Sequence, residues 1–193
     1  MLYIFFRTLF RMMFAVLFRL KTEGEENIPR EGPVVLCANH TSNWDPPVLG
    51  SMLDRKVHYM AKAELFELPV LKQVLPRIGA FPVKRGGVSK ESIRLSIQLL
   101  KDGNMIGVFP EGTRSNAGGM GKKGAASLAL KSGATVIPAA IVGNYSLFRP
   151  MKVIYGRPID LSEYADAGSE GLEQATDLIM STIRSMVREH ESK

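Results

Sequence analysis

Apolar and polar positions alternate along the chain in two periods. Short continuous apolar runs, in part β-branched, stand at Pro33–Ala38, Val57–Ala61, Gly79–Val83, Met105–Phe109, Thr135–Val142 and Lys152–Tyr155. Runs of this length and character are strands buried in a sheet. Between them lie segments of helical period at 46–54, 69–77, 89–101, about 124–132 and about 169–190. In 89–101, Ile93, Ile97 and Leu100 share one face, and Asp102-Gly103 closes the helix. In the last segment Leu172, Leu178, Ile179, Ile183 and Val187 do the same. Lys21–Gly32 is polar and reads as a connection. Strand and helix in alternation predict an α/β fold: a single domain with a mostly parallel β-sheet flanked by helices.

The first twenty residues follow a different pattern. Residues 2–20 are rich in Phe, Leu and Met, and the length would suit a membrane span, but arginines interrupt it. On a wheel of about 100° per residue, Arg7, Thr8, Arg11 and Arg19 fall in a sector of roughly 120°. This predicts a helix lying in the membrane interface, its basic edge turned to anionic headgroups. The alternative is a helix packed on the protein's own core. The width of the apolar arc favours the interface, and the chain divides on this reading into an anchoring helix, 1–20, and an α/β domain, 21–193. No charged region precedes the apolar run and no small-residue cleavage site follows it, so a secretory signal is not expected.

Polar residues cluster after successive strands. His40 follows the first and Asp45 opens the next helix, where Asp followed by Pro46 is a helix-start signal. Four residues separate them and can fold back so that the two side chains meet. A carboxylate on Nδ1 would then leave Nε2 as a proton acceptor. Spacing alone equally allows a helix cap and an ordinary loop histidine. Lys62 follows the second strand, Arg85 the third, and Glu111 and Arg114 the fourth. Ligands of such sheets bind beyond the carboxyl ends of the strands, so these groups converge on one site. Lysine and arginine there can hold a phosphate. Glu111 can accept a ligand hydroxyl or orient an arginine, and Gly112 allows close backbone approach.

Composition narrows the chemistry. The net charge of +6 over 193 residues points to an anionic partner. No nucleic-acid motif is present, so nucleic acid ranks last. The single Cys37 excludes an internal disulfide. It lies three residues from His40 on or near one strand, which turns the two to opposite faces and argues against a Cys–His dyad. There is no Gly-x-Ser-x-Gly elbow, no Walker loop and no dinucleotide fingerprint. The three histidines lack zinc spacing, and no metal is expected. A base without its own nucleophile implies that the substrate supplies the nucleophile.

Four segments carry a resemblance: His40-x-x-x-x-Asp45, Gly79-Ala80-Phe81-Pro82-Val83-Lys84-Arg85, Phe109-Pro110-Glu111-Gly112-Thr113-Arg114-Ser115 and Val136-Ile137-Pro138-Ala139. In this order they resemble the four blocks of the glycerolipid acyltransferases, most closely the bacterial 1-acyl-glycerol-3-phosphate acyltransferase family. The resemblance spans about 39–142. It implies that His40, held by Asp45, deprotonates the 2-hydroxyl of lysophosphatidic acid. The alkoxide attacks the thioester of acyl-CoA or acyl carrier protein, and phosphatidic acid and a thiol leave. It assigns the acceptor phosphate to Arg85 and acceptor contacts to Glu111, Gly112, Thr113 and Arg114. Lys62 is added from its strand-end position alone. The block around Pro138 is architectural or part of the acyl pocket.

No cofactor is implied beyond the acyl donor. The expected partners are a lysophospholipid, that donor and a membrane surface, with the protein peripheral or monotopic on the cytoplasmic face of the cell membrane. The blocks are shared by acyltransferases acting on other lysophospholipids, lyso-aminolipids or glycerol-3-phosphate. A non-catalytic lipid-binding protein and a thioester hydrolase are the rivals from other classes.

Overall fold

The computed structural model describes residues 1–83, 90–112 and 123–191. In chain order the elements are α1 (Leu2–Leu17), β1 (Lys21–Glu23), β2 (Val34–Ala38), α2 (Asp45–Ser51), β3 (Val57–Lys62), α3 (Pro69–Arg77), β4 (Ala80–Val83), α4 (Lys90–Lys101), β5 (Met105–Val108), α5 (Gly124–Ser132), β6 (Thr135–Val142), β7 (Lys152–Tyr155) and α6 (Gly168–Glu191). The strands form one sheet in the order β1-β7-β6-β2-β5-β3-β4. Every neighbouring pair is parallel except β6 and β7. The α/β class with a mostly parallel sheet is therefore as expected.

β2 lies at the centre, with Val34 paired to Met105 of β5 on one side and to Thr135 of β6 on the other. All five of its residues are buried, which explains its unbroken apolar run. Its side chains alternate between two cores. Val34, Leu36 and Ala38 face α1 and α2 with Phe14, Leu49 and Tyr155. Val35 and Cys37 face α4, α5 and α6 with Leu100, Ala126 and Ile179. From β2 the chain passes to β3 and β4 on one side, returns to β5, then crosses to β6 on the other. That reversal places the switch point at the carboxyl ends of β2 and β5.

Three expectations change. Lys21–Gly32 contains a strand: β1 pairs with β7 at the sheet edge, and Lys152 bridges Glu23 at 2.8 Å. Its polar three-residue sequence carries no apolar signal because an edge strand buries little. The second helix spans 45–51 rather than 46–54. Trp44 is its N-cap, and no side chain caps it. Asp45 is its first residue, and its carboxylate turns back into the preceding loop.

The third change concerns α1. Arg7 and Arg11 face the protein instead of headgroups, and Arg19 lies beyond the helix and is exposed. Arg7 donates to the Asp54 carbonyl at 2.8 Å. Arg11 donates to the carbonyls of Ser51 at 3.1 Å and Met52 at 2.7 Å. The last carbonyls of α2 have no partners within their own helix and carry its negative dipole end, so a guanidinium fork suits them. Phe14 is fully buried, and Phe18 and Leu20 join the same core. The outward face is mostly apolar: Ile4, Phe5, Leu9, Met12 and Val16 are 47–65% exposed, with Thr8 exposed among them. At sixteen residues α1 spans about 24 Å. Among the described residues no helix is long and apolar enough to cross a membrane.

Candidate active site

The loop after β2 is held at both ends. Asn39 continues the ladder with its side chain: its Nδ2 donates to the Ile141 carbonyl at 2.9 Å, and its Oδ1 accepts the Ile141 N–H at 2.8 Å. At the other end Asp45 is fully buried. Its Oδ2 lies 2.7 Å from His40 Nδ1 and accepts the N–H groups of Thr41 at 2.6 Å and Ser42 at 2.7 Å. The four intervening residues thus wrap around the carboxylate, and the two side chains meet as the spacing allowed.

Electrostatics assign the hydrogens. Burial alone would raise the Asp45 carboxyl. Hydrogen bonds from His40, Ser42, Tyr145 and Thr41 outweigh it and hold the group below the usual carboxylate range. Asp45 is therefore ionised at neutral pH. An ionised carboxylate can only accept, so Nδ1 of His40 carries the hydrogen between them, and Nε2 is the ring nitrogen not engaged with Asp45. The imidazole stacks on Phe109 with centroids 4.3 Å apart, and Phe109 in turn stacks on Tyr59 at 6.4 Å. Buried Glu111 accepts the His40 backbone N–H at 3.2 Å. The first and third blocks of the sequence are thereby joined through one hydrogen bond.

His40 opens onto a cleft of about 470 Å³ lined by Lys62, Phe109, Gly112, Ile93 and Leu128 among others. A second cavity of about 320 Å³ lies between α1, α2, β3 and α3. Phe6, Phe10, Leu65, Leu75 and Ile78 make it almost wholly apolar. Pro46, Tyr59, Met60 and Ala61 line both. A hydrogen-bonding group beside apolar room of this size suits a ligand with a polar head and a hydrocarbon chain.

Of the predicted site residues, His40, Asp45, Lys62, Glu111 and Gly112 come together. Lys62 ends β3 and lines the cleft. Gly112 has φ +73°, a backbone conformation that glycine adopts without strain. Arg85, Thr113 and Arg114 lie outside the described residues. Cys37 is fully buried on the α4–α6 face. Burial pushes its thiol up to about 12, so it offers no thiolate at neutral pH.

One site residue escaped the sequence reading. The Tyr145 hydroxyl donates to Asp45 Oδ1 at 2.5 Å across 100 positions of sequence. Tyr145 stands three residues beyond β6, at the same sheet edge as His40, so the strand-end rule applied to β6 would have found it.

Fold and site together define a class: an α/β protein whose central strand delivers a hydrogen-bonded histidine–carboxylate pair to the mouth of an apolar cleft. Comparison with known proteins gives that class a family. The acyltransferase family model matches residues 19–142. The chain is 35% identical over 174 residues to a 1-acyl-sn-glycerol-3-phosphate acyltransferase of Bacillus subtilis, covering 86% of this chain and 87% of that one. It is 34% identical over 132 residues to a chloroplastic enzyme of the same description from Arabidopsis thaliana, covering 66% of this chain and 37% of that one. Its fold matches the crystal structure of the 1-acyl-sn-glycerophosphate (LPA) acyltransferase of Thermotoga maritima. That match has TM-score 0.78 and 25% identity, and covers 97% of this chain and 79% of that one. The chain belongs to the acyltransferase family.

Proposed function

We propose that this protein transfers an acyl group from a thioester donor to the 2-hydroxyl of 1-acyl-sn-glycerol 3-phosphate, forming phosphatidic acid. The observation that carries the mechanism is the 2.7 Å contact between His40 Nδ1 and Asp45 Oδ2 at the mouth of an apolar cleft. In this reading Nε2 takes the hydroxyl proton as the oxygen attacks the thioester carbonyl. A tetrahedral intermediate forms, the C–S bond breaks, and the imidazolium returns the proton to the departing thiolate. No acyl-enzyme is required, which agrees with a base that lacks its own nucleophile. The names of the relatives support the acceptor. The donor is acyl-CoA or acyl carrier protein, and no cofactor enters. Lys62 and Arg85 are assigned to the acceptor phosphate, and Gly112, Thr113 and Arg114 to its surroundings. Glu111 acts from within, through the His40 backbone.

The protein works at a membrane surface in this reading. Trp44 packs against Phe10 and Phe14 of α1, Leu147 and Phe148 stand near the helix's C-terminal end, and all three are exposed. Phe148 is tied there by its N–H to the Leu17 carbonyl at 2.6 Å. Exposed apolar side chains of this kind on a basic protein fit an anionic bilayer, with lipid acceptor and product exchanged in its plane.

The test is thiol release with each donor across a panel of acceptors. Release that requires lysophosphatidic acid supports the assignment, and a preference for another lysophospholipid moves it to that acceptor. Equal release without any acceptor identifies a hydrolase instead. His40→Ala separates enzyme from lipid carrier: turnover is lost while lipid binding changes little.

A further inference from the structure

We propose that Tyr145 is a positioning residue of the reaction: its hydroxyl anchors the Asp45 carboxylate and so sets the orientation and basicity of His40. The proposal rests on the acyltransferase reading only for its kinetic readout.

The carboxylate needs such an anchor. Three of its donors, His40 Nδ1 and the N–H groups of Thr41 and Ser42, converge on Oδ2. All three belong to the loop that Asp45 itself organises, so they move with it. Oδ1 has only the Thr41 hydroxyl, at 3.4 Å, from that loop. The Tyr145 hydroxyl, at 2.5 Å, is the short contact that ties Oδ1 to a different part of the fold. An O–H donor on a carboxylate at this separation is among the stronger hydrogen bonds proteins make.

Tyr145 is itself held. Its ring packs edge-to-face on Phe18, with centroids 5.6 Å apart and planes at 83°. Backbone bonds pin its loop to the end of α1, from Phe148 N–H to Leu17 and from Met151 N–H to Phe18. Burial and the neighbouring Asp45 charge both raise the phenol well above its ordinary value, so it remains a donor at every working pH.

A donor on Oδ1 does two things to the base. It fixes the carboxylate plane, and with it the direction in which Nε2 points. It also draws charge away from Oδ2 and weakens the pull of Asp45 on an imidazolium. Besides Asp45, the charged or titratable groups around the imidazole, among the described residues, are Glu111 at the end of β5, Tyr59 and Lys62 on β3, and Tyr145 after β6. Of these, Tyr145 is the one whose side chain hydrogen-bonds the Asp45 carboxylate.

Tyr145→Phe keeps the ring and its packing on Phe18 and removes the hydroxyl. The expected result is a kcat about 10-fold to 100-fold lower with the acceptor KM within about twofold, as for lost orientation rather than lost binding. The acid limb of the kcat/KM profile should move to higher pH by about half a unit to one unit, because Asp45 then stabilises the imidazolium more. A 3-fluorotyrosine at position 145, a stronger donor, should restore kcat and return the limb to or below its original position. A merely structural role would lower the melting temperature and leave the pH profile in place, and that outcome overturns the proposal. So does an unchanged kcat in a folded Tyr145→Phe protein. NMR titration of the His40 ring in both proteins gives a reading free of the activity assay. A midpoint raised in Tyr145→Phe supports the role of Tyr145 even if lysophosphatidic acid is not the acceptor. An unmoved midpoint refutes that role whatever the substrate.

Discussion

The loop 39–45 and the outer face of α1 are built on opposite rules. In the loop, polar groups are paired inside the protein: Asn39 with the β6 backbone, Asp45 with His40, Thr41, Ser42 and Tyr145, and the His40 N–H with Glu111. On α1 the polar side chains Arg7 and Arg11 also turn inward, to the end of α2, and the apolar side chains are left facing out. The difference teaches where each region's free energy comes from. The loop is held by its hydrogen bonds, because unpairing a buried member is costly. The helix is anchored by its inner edge, and its outer face leaves large apolar side chains exposed.

The largest expected effect strikes the loop. His40→Ala should lower kcat by roughly 10³–10⁴-fold with little change in melting temperature or vesicle binding. A variant that kept its turnover would remove the base from the mechanism. Asp45→Asn comes next, with about 10²–10³-fold lower kcat. It should also cost about 2 kcal/mol at pH 7, read by urea unfolding.

That stability gap should depend on pH. The Asp45 carboxyl lies below its ordinary value in the folded state. Its contribution is therefore complete above the unfolded-state value of about 3.9 and is lost as pH falls through the folded one. The gap between wild type and Asp45→Asn should narrow below about pH 4. An equal gap at pH 7 and pH 3 would mean that the charge contributes nothing.

The outer face of α1 calls for a different reading. Met12→Glu with Val16→Glu should weaken sedimentation with phosphatidylglycerol vesicles by about tenfold. Stability should stay within about 0.5 kcal/mol, because both side chains are exposed. Vesicle binding that survived both changes would leave that face without a role. Deleting residues 1–20 is a poorer test, since it strips buried Phe14, Phe18 and Leu20 from the core. The smallest effect separates the two edges of the helix. Arg11→Ala should cost about 1–2 kcal/mol through the uncapped carbonyls of Ser51 and Met52. It should leave the affinity for anionic vesicles unchanged. The reverse pattern would return Arg11 to the headgroups.

Much of this architecture could be read in advance, and the reasons differ by element. β2 announced itself because a strand buried on both faces must be apolar throughout. The site residues announced themselves because parallel strands bring their carboxyl ends to one edge. β1 did not, since an exposed edge strand has no apolar pattern to show. Glu111 was identified as a site residue, but its grip on the His40 backbone was not, since main-chain partners leave no trace in residue types. Arg85, Thr113 and Arg114 rest on the resemblance alone.

By itself the sequence determined the α/β class, the succession of helices and strands, and the reach between His40 and Asp45. Each follows from local periodicity or from spacing along the chain. Only the tertiary structure decided that β6 and β7 run antiparallel, that α1 turns its arginines inward, and that Tyr145 meets Asp45. A helical wheel fixes the angles between side chains but not which of them meets the core. A contact across 100 residues exists only once the sheet has brought β2 and β6 side by side.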